Sequence, residues 1–254
     1  MRIKVLASGS KGNSVYIESK NAKILIDAGI NYNRIKKELD KINVNIEHLD
    51  GIIISHAHSD HMQGLKSIQK NQDTKIYIKK ELKKEIKEVV KEENINIVDG
   101  NFKINDLYIE VLNVSHDVPN SGFIINENDT SIVYITDTGY INKKNFELTK
   151  NKTVYIIEAN HNEKMVMEGK YPYMLKQRVL SDEGHLSNSY TGRYLKKTLG
   201  NNTKYIILAH LSENNNTKEL ALREVKDEIK STGFNEKNLT VAYQNGENEL
   251  ICVW

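Results

Sequence analysis

The sequence predicts an α/β protein in which two mixed sheets face each other beneath outer helices, a four-layer αββα sandwich. Three observations carry the prediction. Short β-branched runs recur from one end of the chain to the other between Gly-, Asn- and Ser-containing turns. Helical patterns fall among them without strict alternation, so the sheets are mixed rather than uniformly parallel. Only two prolines occur in 254 residues and no low-complexity linker interrupts them, which reads as one domain over residues 1–254.

The strands are expected at Ile3–Leu6, Ser14–Glu18, Lys23–Asp27, Gly51–Ser55, Lys75–Ile78 and Ile95–Val98 in the first half. In the second half they are expected at Leu107–Val114, Gly122–Asn126, Ser131–Thr136, Thr153–Glu158, Tyr205–Ala209, Leu239–Tyr243 and Leu250–Val253. Ile35, Leu39 and Ile42 recur at steps of four and three, which predicts a helix over Arg34–Ile42. Further helices are expected at Lys80–Lys91, Tyr190–Leu199 and Thr217–Ser231. The last has Asn216 as its predicted N-cap, Glu219 three residues on, and Gly233 beyond its end.

Composition excludes some functions and leaves others open. Apolar residues make up 39% and charged residues 28%, which is ordinary for a globular protein. No apolar run is long enough for a bilayer span, and Met1–Leu6 lacks secretory signal architecture. A single cysteine, Cys252, cannot form an intrachain disulfide, so the expected location is the cytoplasm, with no membrane partner. The formal net charge is only +2, so charge alone does not announce a nucleic-acid partner. The lysine-dense stretches Arg34–Lys41 and Lys79–Lys91 alternate with glutamate and read as solvated helix faces.

The chemistry concentrates in His56-Ala57-His58-Ser59-Asp60-His61, directly after an isoleucine-rich strand. Three histidines and an aspartate so close together are hard to explain by packing, because every buried imidazole needs a polar partner. Imidazole and carboxylate together make a mixed N/O ligand set suited to zinc, manganese or iron. Single polar residues end three later apolar runs: His116 after Val114-Ser115, Asp137 after Ile135-Thr136, and His210 after Leu208-Ala209. Asp137 is the natural carboxylate to bridge two ions. His185 lies in a polar loop with Ser187 and Asn188 beside it, and Asn160 and His161 follow the strand ending at Glu158. Ser8 opens a Gly- and hydroxyl-rich loop whose amides suit a phosphate, although such loops also serve as plain turns. His48 reads as structural, and Tyr16, Tyr140, Tyr171 and Tyr173 read as core residues as readily as base-stacking ones.

The string His-x-His-x-Asp-His followed by a distant His, Asp and His resembles the ligand series of metallo-β-lactamase fold hydrolases. That resemblance implies two divalent ions, zinc first, with manganese or iron also suited. His56, His58 and His116 would hold one ion, Asp60, His61 and His210 the other, and Asp137 would bridge them. Leu6–Ser14, Ile135–Tyr140, Glu158–Asn162, Leu180–Asn188 and Leu208–Ser212 are similar to the YycJ/WalJ branch of exonucleases. A remoter likeness, in the segment around His185, is to the tRNA 3′-processing ribonuclease. The β-CASP nucleases insert a whole domain late in the fold, and the 48 positions between Asp137 and His185 (185 − 137) leave no room for one. Flavodiiron oxidoreductases place a glutamate where His58 stands, so the histidine argues for hydrolysis.

The resemblance thus implies a phosphodiesterase, a 5′-to-3′ exonuclease on DNA ends with RNA also open as substrate. A metal-bridging hydroxide would be the nucleophile, Asp60 would orient it, and His185 would protonate the leaving oxygen. Ser8, Asn160, His161, Ser187 and Asn188 would bind substrate. Two alternatives stay open: a hydrolase of thioesters, lactones or cyclic phosphodiesters on the same fold, and a metal-binding redox protein without hydrolysis.

Overall fold

The computed structural model describes residues 1–245 and 248–253. In chain order it begins with β1 (Arg2–Ala7), β2 (Ser14–Glu18), β3 (Lys23–Ile26), α1 (Tyr32–Asp40) and β4 (Gly51–Ile53). There follow α2 (Ser59–Met62), α3 (Leu65–Asn71), β5 (Ile76–Lys79), α4 (Lys83–Ile86), β6 (Ile95–Val98), β7 (Phe102–Ile104) and β8 (Leu107–Val114). The second half holds β9 (Asn120–Glu127), β10 (Thr130–Ile135), α5 (Lys143–Leu148), β11 (Val154–Glu158), α6 (Glu163–Glu168) and α7 (Tyr173–Val179). It closes with α8 (Asn188–Thr198), β12 (Tyr205–Ala209), α9 (Lys218–Ile229), β13 (Leu239–Val241) and β14 (Ile251–Cys252). These elements form two compact units, residues 1–110 with 243–254 and residues 111–242.

Among the described residues the strands make two seven-stranded mixed sheets flanked by helices, which is the predicted class. The first sheet runs β14-β1-β2-β3-β4-β5-β6; β14 through β3 pair antiparallel and β3 through β6 pair parallel. The second runs β13-β12-β11-β10-β9-β8-β7, parallel from β13 to β10 and antiparallel from β10 to β9. The parallel strands carry the apolar runs, such as Val154-Tyr155-Ile156-Ile157, which are buried throughout. Continuous burial of this kind is what covered parallel strands require.

Each unit has its own core. In the first, Leu25, Ile52, Ile54 and Ile76 of the sheet join Ile35 and Leu39 of α1 and Leu65 and Ile68 of α3. In the second, Val133, Ile157, Ile206 and Leu208 join Leu195 of α8 and Val225 and Ile229 of α9. Helices α8 and α9 approach closely at Gly192, where an added Cβ would lie 2.7 Å from the Cβ of Glu228.

Three local expectations need correction. The helix predicted over Lys80–Lys91 is a 3-10 turn at Lys80–Leu82 followed by the short α4. Leu82, Ile86 and Val90 are all buried as the pattern required, but the chain leaves the α-helix after Ile86, where Val89 and Val90 add β-branched crowding. The N-cap of α9 is Thr217, whose side chain accepts from the Leu220 amide. Asn216 is instead buried, donating to the carbonyls of Ala159 and Asn160 and pairing with Asn188. Helix α8 starts two residues before the predicted Tyr190 because Ser187 caps it. Helices α6 and α7 were not predicted: each buries a single residue, Val166 or Val179, and shows no apolar stripe.

Candidate metal centre

In the first unit β3 and β4 run parallel with Ile26 opposite Ile53, which sets Asp27 beside Ser55 at the carboxyl end of the sheet. The Ser55 amide donates to Asp27 Oδ1 at 2.8 Å and the Ser55 hydroxyl donates to both carboxylate oxygens. From this anchor the chain delivers the histidine loop. His61 holds its Nδ1 2.8 Å from Asp27 Oδ2, and His56 holds its Nδ1 3.0 Å from Ser55 Oγ. The ring of His56 lies 4.8 Å from that of His58 and 4.0 Å from that of His61. Asp60 Oδ2 stands 3.5 Å from His61 Nε2.

Two loops clasp this segment. The Asn13 amide donates to Asp60 O, Gly29 to Asn13 O, and Ala28 to His61 O, each at 2.8 Å. A Cβ on Gly29 would fall 1.7 Å from Asp60 O, so only glycine fits there. Ser8 is buried in the loop after β1, with its amide on Tyr243 O.

In the second unit three adjacent parallel strands end in polar residues: Asp137 just after β10, Glu158 closing β11, and His210 just after β12. Glu158 is fully buried and organises the group. Its Oε1 accepts from His185 Nδ1 at 2.8 Å and from His210 Nδ1 at 2.9 Å. Its Oε2 accepts from the amides of Thr138 and Leu186. Asp137 Oδ1 lies 3.3 Å from His210 Nδ1, and ligand-type atoms of Asp137, Glu158, His185 and His210 all fall within 4.8 Å of one another. His116 holds its Nδ1 3.0 Å from Glu183 O, and its ring stands 5.6 Å from that of His185.

Backbone conformation marks the same places. Among the described residues seven non-glycine residues have positive φ; four are turn asparagines, and the others are Asp27, Asp137 and His210, at φ of 61°, 57° and 54°. Left-handed backbone at three strand ends costs energy, and it turns each side chain out of the sheet toward its partners. Asn160 secures one of them by donating its side-chain amide to His210 O at 2.8 Å.

Electrostatics follow from burial and partners. Burial pushes the Glu158 carboxyl up, but the charge on His185 and its bonds to His185 and His210 win, holding it at about 2. Burial works against protonation of His185, and Glu158 with Asp137 reverses that, raising it above the usual histidine value. Burial lowers His116. His161, 1% exposed, is pushed down to about 4 by burial, and its Nδ1 has no hydrogen-bond partner among the described residues.

Every ligand-series residue thus lies in one of two clusters: His56, His58, Asp60 and His61 in the first unit, and His116, Asp137 and His210 in the second. Of the substrate candidates, Asn160, Ser187 and Asn188 have side chains already engaged. Ser187 caps α8 and donates to Glu163 Oε1 at 2.8 Å, and Asn188 exchanges hydrogen bonds with Asn216. Sequence reasoning passed over Asp27 and Glu158, the two carboxylates on which the imidazoles hang. Their signal was available, since both end apolar strands as Asp137 does.

The donor set suits a divalent ion. His56, His61, His116 and His210 each set Nδ1 against an oxygen, which leaves Nε2 as the ring nitrogen that could ligate a metal. Carboxylates of Asp60 and Asp137 complete an N/O set.

Comparison with solved structures defines the class. The chain is similar to the metallo-β-lactamase fold protein YhfI from Bacillus subtilis, with a TM-score of 0.74 and 18% identity over 98% of this chain and 99% of that one. It is also similar to human tRNase Z, short form, with a TM-score of 0.67 and 16% identity over the full length of both. The fold is that of the metallo-β-lactamases. The model of the beta-lactamase superfamily domain matches residues 22–210, and the chain belongs to that family. It is 40% identical over 228 residues to exodeoxyribonuclease WalJ of Streptococcus pneumoniae, covering 85% of this chain and 84% of that one. Exodeoxyribonuclease YycJ of Bacillus anthracis is 32% identical over 240 residues, covering 92% and 91%. The chain is therefore a metal-dependent hydrolase, as the resemblance implied. No helix among the described residues is long and apolar enough to cross a membrane.

Proposed function

We propose that the protein is a cytoplasmic, dinuclear metal-dependent phosphodiesterase that shortens DNA from its 5′ ends and accepts RNA as a secondary substrate. The two units act as one hydrolase domain in this reading. His56, His58 and His116 would hold one ion, Asp60, His61 and His210 would hold the other, and Asp137 would supply the carboxylate shared between them; zinc is the expected metal, with manganese or iron able to replace it. When bound, two such ions lower the pKa of a water and neutralise charge on a phosphoryl oxygen.

The observation that carries the reading is the sharing of Glu158 Oε1 by two imidazoles, His210 at 2.9 Å and His185 at 2.8 Å. One carboxylate thereby orients a ligand and a second histidine outside the ligand series. Glu158 holds the Nδ1 proton of His185, so that Nε2 faces away as the atom that passes a proton to the leaving oxygen. Asp60 accepts a hydrogen bond from the attacking water. Ser187, Asn188 and Asn160 support the His185 loop and the His210 backbone, while Ser8 and His161 are the neighbours of the substrate phosphate. The exodeoxyribonuclease relatives favour nucleic acid over thioesters or lactones.

The test is release of nucleotides from end-labelled, 5′-phosphorylated DNA and RNA, single- and double-stranded, by protein reloaded with Mn²⁺ or Zn²⁺. Metal-dependent shortening from the 5′ end that disappears in Asp60→Ala is expected. Intact substrates with metal bound would overturn the reading in favour of small esters.

A further inference from the structure

Helix α8 starts at its cap Ser187, two residues beyond His185, and presents Tyr190, Arg193, Tyr194 and Lys197 at steps of three and four along one face. With Ile141 and Phe146 these four line an open cavity of about 320 Å³ that contains no member of the ligand series. Its floor is aromatic. Phe146 and Tyr194 meet edge to face at 5.9 Å, Tyr194 is tied by its hydroxyl to Thr149, and Tyr190 is half-buried with its hydroxyl on the Ile141 amide. Its edge is cationic, since Arg193 and Lys197 are exposed and no carboxylate lines the cavity.

We propose that this cavity is a strand-binding subsite for single-stranded nucleic acid, with a base stacked on Tyr190 and phosphates on Arg193 and Lys197. This rests on the nuclease reading above and extends it to how the strand is held beyond the scissile phosphate. The chemistry selects that occupant. A purely apolar ligand would use the aromatic floor and leave the cations idle, and a bare anion would use the cations and leave the floor idle; a nucleotide needs both. Stacking is indifferent to base identity, which suits an enzyme that must advance along any sequence. From Tyr190 to Lys197 the helix rises roughly 10 Å. That is room for about three phosphates at the roughly 3.4 Å spacing of one stacked strand.

The test uses the metal-loaded protein and a 5′-phosphorylated oligodeoxythymidylate, read by fluorescence anisotropy with phosphorothioate linkages blocking its hydrolysis. The charge reversal Arg193→Glu with Lys197→Glu sits on exposed positions, and an unchanged thermal midpoint verifies its fold. Affinity is expected to fall about tenfold or more, with a shallower salt dependence corresponding to about two fewer phosphate contacts. Tyr190→Leu, which keeps apolar bulk and removes the ring face, is expected to lose about tenfold at little change in salt slope. For each variant, the rate on unblocked oligonucleotide relative to that on bis(p-nitrophenyl) phosphate should fall by a similar factor. A wild type that digests oligonucleotides beside variants with wild-type affinity and rate ratio would overturn this subsite alone. A wild type that neither binds nor shortens them would overturn the nuclease reading, and the subsite with it.

Discussion

The two units assemble their clusters of candidate ligands by different routes. The first unit packs His56, His58, Asp60 and His61 into one loop and hangs it on Asp27. The second gathers His116, Asp137 and His210 from three separate places and hangs His210, together with His185, on Glu158. In the first, sequence proximity brings the groups together; in the second, the register of three parallel strands sets Asp137, Glu158 and His210 side by side, and His116 comes from the end of β8. A loop tolerates local adjustment, whereas the strand ends are fixed by the sheet, and each relies on a residue in left-handed backbone. The second unit also goes beyond the ligand series, because its central carboxylate serves a histidine outside it.

That contrast is most sharply tested at His185. If it moves a proton rather than binding metal, His185→Gln should lower kcat by about 10²- to 10⁴-fold while elemental analysis finds the metal content unchanged. Loss of metal in step with activity would make His185 a ligand and erase the distinction. The two supporting carboxylates come next. Glu158→Gln should cost about 100-fold in activity because it releases two imidazoles, and Asp27→Asn about tenfold because only His61 among the imidazoles bonds to it directly. Equal losses would mean that the shared oxygen has no special role.

Smaller effects probe the scaffolds. Gly29→Ala places a Cβ 1.7 Å from Asp60 O and should destabilise the first unit by about 1–3 kcal/mol in urea unfolding, the range for overpacking. The last concerns acid. His161 is held down at about 4, so below the ordinary histidine value of about 6.5 the unfolded chain takes up a proton that the folded chain refuses. Stability is therefore complete above pH 6.5 and is lost as pH falls toward 4, by roughly 1 kcal/mol between pH 7.5 and 5.5. His161→Gln should flatten that segment of the stability profile, which chemical denaturation at several pH values would show.

The same contrast explains what was legible in the sequence. The loop His56–His61 announces itself because three histidines and an aspartate within six positions have no packing explanation. His116, Asp137 and His210 were visible only because each ends an apolar run, so that strand periodicity supplied the context. Asp27 and Glu158 end strands too, yet a lone carboxylate after Ile26 or Ile157 also reads as an ordinary turn residue; their partners come from distant positions, 34 residues away for Asp27–His61 and 52 for Glu158–His210. The fold class followed from β-branched runs, which the buried parallel strands require. Helices α6 and α7 escaped because their large apolar residues, Met167 in the one and Tyr173 and Met174 in the other, are 62%, 71% and 74% exposed and make no buried stripe. The cap of α9 was misplaced by one residue because Asn216 satisfies buried carbonyls instead.

The most direct test of the account is a metal count on wild type, His56→Ala and His210→Ala, one ligand changed in each unit, alongside digestion of 5′-phosphorylated DNA. The account predicts two equivalents per chain in the wild type, with both variants losing bound metal and DNA shortening together. Two equivalents retained in either variant, or full digestion by a protein carrying none, would contradict it.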